Sequence, residues 1–417
     1  MTSNAETLRQ TIRDRLPDPL PRRLGVAVSG GGDSIALLCL LADTARTERM
    51  ELFAATVDHG LRPESATEAE TVAAQAQGWN IPHETLKWDG WDGTGNLQDA
   101  ARRARYHLLT EWAKRLGLDA IALGHTADDQ AETVLMRLGR AAGVSGLSAM
   151  APERREKGVT LLRPLLSTTR EDLRDYLGAE GVEWIEDPSN HDQRFDRIKA
   201  RAALSGLDQI GITAHTLSRV AENMAQARAA LAQYAQDSAR RVARVEGGDL
   251  CLDRAAFEAL PEEIRRRILA AAVLWIAGGE YTPRHSAMEQ ALKAISMGKT
   301  GTIGGCIVVP NGKNTWICRE LKAVAQQTAS TGTMWDGRWI VTGPITKGAE
   351  IRALGEDGIT QLEDWRVTGK PRAALLSSPA VWTGQTLLAA PLAGWPNQWR
   401  AEMPPDTPDF HATILSH

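Results

Sequence analysis

The chain has 417 residues, of which 43% are hydrophobic and 24% are charged, and its formal net charge is −4. This length and composition predict an ordinary globular protein of two or three domains. The small net charge excludes a surface that is basic throughout, so a nucleic-acid site would have to be a local patch. No apolar stretch reaches the roughly 18 residues of a membrane helix. The polar N-terminus lacks the apolar core of a secretory leader, and the four cysteines form no CxxC pair. We therefore expect a cytoplasmic protein without disulfides or a zinc site.

The first 205 residues alternate short apolar strands with helical segments. In chain order, the predicted elements are a helix over 1–16, a strand from Leu24, a helix over 35–45, a strand over 52–57, a helix over 65–77, a strand near 83–88, a helix over 97–116, a strand over 120–123 and a helix over 127–138. This alternation predicts an α/β domain with an open parallel sheet and helices on both faces. Such sheets bind ligands at the carboxyl ends of their strands.

The segment LGVAVSGGGDS joins the first strand to a helix through three consecutive glycines. A strand, a glycine turn and a helix N-terminus place several backbone N–H groups around one point, which favours a phosphate site. The segment is not a Walker A loop, which needs Lys and Ser/Thr after the last glycine, and it does not fit the GxGxxG fingerprint. The predicted phosphate-binding residues are Ser29, Gly30, Gly31, Gly32, Asp33 and Ser34.

Polar side chains also follow two other predicted strands. Asp58 and His59 come after the second strand, and His125 with Asp128 and Asp129 comes after the fourth. Because the carboxyl ends of parallel strands meet at one edge of a sheet, we expect these side chains beside the glycine loop. Two alternatives stay open: the two acids act only as a helix cap and a first-turn charge, and the histidine is a hydrogen-bonded structural residue.

The SGGGDS loop resembles the PP-loop of ATP pyrophosphatases, written SGGxDS, which cleave ATP between the α- and β-phosphates. Six segments occur in a fixed order: SGGGDS, VDHGLRPES, LQDAARRARY, GHTADDQAET, RPLL and EDPSN. Together they resemble the tRNA(Ile)-lysidine synthetase family, closely over residues 22–205, loosely over 206–325 and poorly after 330. The resemblance implies ATP and Mg²⁺ as cofactors and L-lysine and CAU-anticodon tRNA(Ile) as substrates. It also implies attachment of lysine to C2 of the wobble cytidine through an adenylated intermediate, with release of AMP and pyrophosphate.

This chemistry asks for acids near the phosphates and near the lysine. A magnesium ion needs carboxylate or phosphate oxygens, and Asp33 and Asp129 are the candidate ligands. The attacking ε-amine has an ordinary pKa of about 10.4, so a carboxylate is needed to accept its proton or to recognise its charge. Glu132 lies one turn beyond Asp128 on the same helix, although a solvated helix position is its alternative role. The predicted catalytic residues are Asp33, Asp128, Asp129 and Glu132.

Two clusters of arginines are candidates for the RNA interface. Arg102 and Arg105 share a helix with Tyr106, and a second cluster follows the EDPSN segment. Arginine suits phosphate and base contacts, and an aromatic neighbour allows stacking on an unpaired base. A solvated charged helix face is the alternative for each cluster. The predicted RNA-binding residues are Arg102, Arg105, Arg194, Arg197 and Arg201.

The sequence predicts three domains: a catalytic domain over 1–205, a mainly helical tRNA-binding domain with a short hairpin over 206–325, and a small β-rich region over 326–417. Tryptophans in the last region are expected in its core. The oligomeric state stays open, a homodimer included, and no membrane partner is expected. Two other functions remain: a PP-loop enzyme that thiolates tRNA, which would need reactive cysteines, and a non-catalytic nucleotide- or RNA-binding module.

Overall fold

The structure, a computed structural model, describes residues 2–60, 64–88, 90–91, 96–186, 196–279 and 281–416. The chain divides into two compact units, Met1–Arg228 and Ala229–His417. The three-domain division at residues 205 and 325 is finer than this and stays a prediction. Among the helices in the described ranges, none combines the length and the apolar character needed to cross a membrane.

Within the described part of the first unit, six strands form one sheet in the order β3-β2-β1-β4-β6-β5. The strands are β1 (Arg23–Ala27), β2 (Glu51–Asp58), β3 (His83–Lys87), β4 (Ala120–Leu123), β5 (Glu153–Glu156) and β6 (Val159–Leu162). All neighbours pair in parallel except β5, which is antiparallel to β6 at the sheet edge. The predicted open parallel sheet is therefore confirmed. The β5–β6 hairpin was not predicted, because its edge strand reads as a run of charges, a common feature of exposed sheet edges.

Helices cover both faces of this sheet. They are α1 (Thr2–Arg15), α2 (Gly32–Glu48), α3 (Ser65–Gly78), α4 (Leu97–Leu116), α5 (Ala127–Leu138), α6 (Val144–Leu147), α7 (Arg170–Glu180) and α8 (Asp196–Leu207), while α9 (Ala214–Val242) continues into the second unit. One core joins α1, α2, α3 and α7 to the sheet, and another joins α4 to the opposite face. Gly25 in β1 permits the close approach of α4, because a Cβ there would lie 2.6 Å from the ring of Trp112.

The second unit begins with an antiparallel sheet of order β7-β8-β11-β10-β9. Its elements are β7 (Ala243–Glu246), β8 (Asp249–Asp253), α10 (Arg254–Glu258), α11 (Glu262–Ala277), α12 (His285–Ser296), β9 (Gly301–Ile303), β10 (Cys306–Asn311) and β11 (Asn314–Arg319). The predicted helices and hairpin are present. The hairpin, however, belongs to a five-stranded sheet in the described residues, because β8 pairs with β11 and β7 with β8.

The last part of the chain is rich in short strands, as predicted. Its elements are α13 (Leu321–Val324), β12 (Ala329–Ser330), β13 (Met334–Trp335), β14 (Trp339–Thr342), β15 (Glu350–Ala353), α14 (Gly355–Ile359), α15 (Arg372–Leu376), β16 (Pro379–Thr383), β17 (Thr386–Ala389), β18 (Arg400–Glu402) and α16 (Phe410–Thr413). Trp335, Trp339, Trp382 and Trp399 are buried, which confirms their predicted place in the core, whereas Trp395 is 39% exposed.

Candidate active site

A cavity of about 530 Å³ opens at the carboxyl ends of β1, β2 and β4. An open parallel sheet binds its ligands at this edge. The glycine loop and the start of α5 line the cavity, as do residues of α4 and α8. Of the predicted site residues, the cavity wall contains Ser29, Gly31, Gly32, Asp33, Ser34, His59, Arg105, His125, Asp129, Arg197 and Arg201.

The glycine loop is held in shape by its own hydrogen bonds. Ser34 Oγ accepts a hydrogen bond from the N–H of Ser29 at 3.1 Å and donates one to the carbonyl of Gly31 at 2.9 Å. Gly30 has φ +88°, and its carbonyl accepts a hydrogen bond from Ile185 N at 2.9 Å. A side chain at this position would be strained and would also meet Ile185, since a Cβ would lie 2.9 Å from Cδ1.

All four predicted catalytic acids contact one residue that the sequence did not single out, Arg170. Its Nε lies 3.1 Å from Asp33 Oδ2, and its Nη2 lies 2.7 Å from Asp129 Oδ1. Its Nη1 lies 3.0 Å from Glu132 Oε1, and its backbone N–H donates to Asp128 Oδ2 at 2.8 Å. The planar guanidinium carries several donors in fixed directions, so one side chain can hold three carboxylates together.

Arg170 is the first residue of α7, next to a capping box. The side chains and backbones of Thr169 and Asp172 exchange hydrogen bonds at 3.2 Å, which fixes where the helix begins. A cation in the first turn of a helix opposes the helix dipole. That local conflict is the signal in the sequence that could have marked Arg170 as functional.

For Asp129, a helix-capping role and a place on the cavity wall hold together. Asp129 Oδ2 accepts the N–H of Thr126 at 3.0 Å, while Oδ1 contacts Arg170. Asp129 therefore caps its helix with one oxygen and presents the other beside the cavity. Asp128 instead satisfies the backbone of α7 and does not line the cavity.

Glu132 is buried, so the alternative of a solvated helix position is wrong. Its side chain is only 1% exposed, and Oε1 accepts from both Arg170 and Arg201 Nε, each at 3.0 Å. Within the described part of the chain, Oε2 has no hydrogen-bond partner. Glu132 thus ties the start of α7 to α8.

The two carboxylates nearest the glycine loop have pKa values shifted in opposite directions. Burial raises the pKa of Asp33, and the charge of Arg170 offsets this only in part. Burial also acts to raise the pKa of Asp129, but the positive charge of Arg170 and the backbone hydrogen bond from Thr126 act against it, and the pKa of this carboxyl lies below its usual range. Asp129 therefore stays ionised, while Asp33 takes up a proton more readily.

The two histidines on the cavity wall are neutral at pH 7. Burial lowers the pKa of His125 to about 3 and also lowers the pKa of His59. In the described structure the buried Nδ1 of each ring has no hydrogen-bond partner. Because buried ring nitrogens are usually paired, both atoms are candidates for contact with a ligand. Asp58 does not line the cavity. Its Oδ1 accepts hydrogen bonds from Gly60 N at 2.9 Å and from Ser65 Oγ at 2.7 Å.

The buried imidazole of His125 predicts a pH-dependent stability. In the unfolded chain it titrates near its ordinary pKa of about 6.5, so below that pH the unfolded state binds more protons than the folded state. The stability of the folded chain is therefore fully present above pH 6.5 and is lost as the pH falls toward 3. From this residue we expect a loss of about 2 kcal/mol between pH 7 and pH 5. Urea unfolding at both pH values measures this loss of stability. An equal loss in the His125→Gln variant would show that His125 is not the residue responsible.

Only some of the predicted arginines line the cavity. Arg105 is half-buried on its wall beside Tyr106, and Arg197 and Arg201 of α8 also line it. Arg102 is exposed and lies outside the wall. Arg194 and the part of the EDPSN segment after Glu186 lie outside the described residues.

Three residues just before the undescribed stretch also line the cavity: Glu186 begins the EDPSN segment, whereas Trp184 and Ile185 were not predicted. Trp184 Nε1 donates to Glu186 Oε1 at 2.9 Å. Trp184 packs beside the glycine loop, since a Cβ on Gly32 would lie 3.4 Å from its ring. Trp184 and Ile185 lie in no periodic pattern that would have marked them as functional.

The sheet, the glycine loop before α2 and the cavity at the strand ends define a PP-loop nucleotide-binding domain, a class that uses ATP. A family model described as a PP-loop domain matches residues 2–206. The tRNA(Ile)-lysidine synthase of Ruegeria pomeroyi is 55% identical over 417 residues, covering 100% of both chains. That of Wolbachia pipientis is 36% identical over 330 residues, 77% of each chain. That of Methylobacterium nodulans is 40% identical over 289 residues, 67% of this chain and 84% of its own. The chain belongs to the tRNA(Ile)-lysidine synthase family.

Proposed function

We propose that this enzyme attaches L-lysine to C2 of the wobble cytidine of CAU-anticodon tRNA(Ile), converting ATP to AMP and pyrophosphate. One observation carries the proposal: Arg170 gathers Asp33, Asp129 and Glu132 at one edge of a cavity that the glycine loop lines. The cavity thus offers a phosphate site and a carboxylate site side by side. The names of the relatives support the choice of RNA and amino acid.

In the first step, O2 of the cytidine attacks the α-phosphorus of ATP, and the bond to the leaving pyrophosphate breaks. The backbone N–H groups of the glycine loop and the hydroxyl of Ser29 are placed to hold the phosphates. The neutral imidazoles of His59 and His125 add hydrogen-bonding nitrogens without adding charge. The protein contributes positioning and charge stabilisation, which dominate phosphoryl-type transfers.

Asp33 and Asp129 are the residues that would hold Mg²⁺. In the described residues no group of three or more His, Cys, Asp or Glu side chains is arranged to bind a metal. Two carboxylates with further oxygens from phosphate and water are nevertheless the usual Mg²⁺ environment. Arg170 contacts only one oxygen of Asp33, so the donor set fits. The ion would neutralise charge on the phosphates.

In the second step, the ε-amine of lysine attacks C2, and the C2–O bond to AMP breaks. The amine must lose a proton, and a carboxylate of this acidic cluster would accept it. Asp129 remains ionised and can bind the lysine ammonium group. Glu132 accepts from two arginines through Oε1 and acts through them as a positioning residue.

The chemistry of the cysteines speaks against the thiolating alternative. All four cysteines are buried and free, and Cys39 alone lies in the first unit. Its Sγ lies 3.2 Å from the hydroxyl of Tyr176, and burial raises the pKa of its thiol. A buried thiol with a raised pKa is a poor nucleophile.

The test measures AMP and pyrophosphate formation with purified enzyme, lysine, Mg²⁺ and CAU-anticodon tRNA(Ile), omitting one component at a time. We expect AMP only with this tRNA, and lysine attached to the RNA. ATP binding without AMP formation with any tRNA would overturn the proposal in favour of a binding module.

The Asp33→Ala variant should lower the rate of AMP formation by about a hundredfold or more, because it removes a carboxylate from the phosphate site. The variant should remain folded, since the side chain of Asp33 is 26% exposed. A steady-state AMP assay measures the loss, with circular dichroism as the folding control. A variant that keeps wild-type turnover would exclude Asp33 from the reaction.

A further inference from the structure

Three arginines surround the ring of Tyr106 beside the mouth of the cavity. The guanidinium carbons of Arg102, Arg154 and Arg105 lie 5.2, 5.6 and 6.0 Å from the ring centroid. Arg102 and Arg154 are exposed, whereas Arg105 is half-buried. We call Arg102, Arg105 and Arg154 the arginine surface.

Arg154 reaches this surface because of the edge strand that the sequence did not predict. In the β5–β6 hairpin, Arg154 lies directly opposite Leu161. Directly opposite residues of an antiparallel pair share one face of the sheet. Leu161 is fully buried and belongs to the same core cluster as Tyr106. Arg154 therefore projects on the side of the sheet that α4 covers.

The surroundings of the arginine surface are positive. Arg163, which is buried beneath it, adds a fourth guanidinium near Tyr106. Burial acts to raise the pKa of Tyr106, yet the charges of Arg102, Arg105 and Arg163 outweigh it and lower that pKa. Arg154 pairs with Glu156, and among the described residues Arg102 makes no ion pair.

The arginine surface continues outward from the cavity. Arg105 and Tyr106 line the wall, while Arg102 and Arg154 lie beyond it. An enzyme that modifies a base of a folded RNA must take that base into its pocket while the flanking phosphates stay outside. Guanidinium groups bind phosphate oxygens with paired hydrogen bonds, and a tyrosine ring can stack on a neighbouring base.

We propose that the arginine surface binds the anticodon-loop phosphates that flank the cytidine in the cavity, with Arg154 as a contact that no sequence motif marked. This inference rests on the proposed function. Arginines at a sheet edge also protect it from pairing with other chains, and the experiment separates the two roles.

The experiment measures binding of the full-length enzyme to a CAU-anticodon tRNA(Ile) transcript over a series of salt concentrations. For Arg102→Gln/Arg154→Gln we expect a loss of affinity on the order of tenfold and a salt slope smaller by about one per lost phosphate contact. The KM for tRNA should rise while kcat and the KM for ATP stay unchanged. The single variant Arg154→Lys should keep most of the wild-type affinity for the tRNA, because it keeps the positive charge.

Arg103→Gln is the matched control, because Arg103 lies on the same helix, is 73% exposed and pairs with Asp99 at 2.9 Å. If the double variant and the control bind with the same affinity and salt slope, the arginine surface does not bind the RNA, Arg154 only protects the sheet edge, and the inference fails. If the wild-type enzyme forms no AMP with any tRNA, the proposed function fails instead. The two failures are therefore distinguishable.

Discussion

Replacing Arg170 with methionine is expected to abolish AMP formation and to lower the free energy of unfolding by about 3–5 kcal/mol. The change removes the shared partner of Asp33, Asp129 and Glu132, whose side chains are 26%, 12% and 1% exposed. Without Arg170, Asp33 and Asp129 lose their guanidinium partner and Glu132 keeps only Arg201, so the three carboxylates repel one another and are poorly hydrated. Urea unfolding and a steady-state AMP assay measure the two losses.

Two further variants separate the stability effect from the catalytic one. Glu132→Gln in the Arg170→Met background removes the most deeply buried of the three charges, so it should recover part of the stability but none of the activity. Arg13→Met breaks an exposed ion pair with Glu48, at 2.8 Å, and should cost less than about 1 kcal/mol. Wild-type turnover in Arg170→Met would show that the acids do not need this residue.

The sequence located those site residues that its local patterns mark. The glycine loop and His125 each follow a short apolar strand, and the rule that ligands bind at strand ends brings them together. The parallel order of β1, β2 and β4 in the structure satisfies that rule. The helices α4 and α5 also begin and end where they were predicted.

Arg170 could not be placed in the same way, because its contacts are entirely tertiary. It lies 41 residues after Asp129 and 137 after Asp33 in the sequence, and only the folded sheet brings α2, α5 and α7 together. Arg154 was missed for a related reason. The strand that carries it lacks the alternation of apolar residues on which strand prediction depends. Asp58 shows what a strand-end position leaves open: its Oδ1 accepts from Gly60 and from Ser65 at the start of α3, and its predicted nucleotide contact stays a prediction.

The glycine loop offers the sharpest test of the phosphate site, because the chain contains a matched control. Gly30 has φ +88° and Gly158, in the β5–β6 turn, has φ +87°. Alanine at either position should therefore lose about 1–2 kcal/mol of stability through the left-handed backbone alone, and any further loss in Gly30→Ala comes from its steric contacts. Their surroundings differ: a Cβ on Gly158 meets nothing within 4 Å, whereas one on Gly30 lies 2.9 Å from Ile185 and 3.3 Å from Val72.

Only Gly30→Ala is expected to lower kcat/KM for ATP, by about a hundredfold, because the loop must shift and its backbone N–H groups then miss the phosphates. Isothermal titration with a non-hydrolysable ATP analogue and the AMP assay measure binding and turnover for both variants. Unfolding in urea measures the stability loss of each variant and checks that both remain folded under the assay conditions, so that a difference in activity reports the site rather than the fold. Equal activity in the two variants would mean that the position of the loop backbone does not govern ATP use, and the phosphate site would have to lie elsewhere in the cavity.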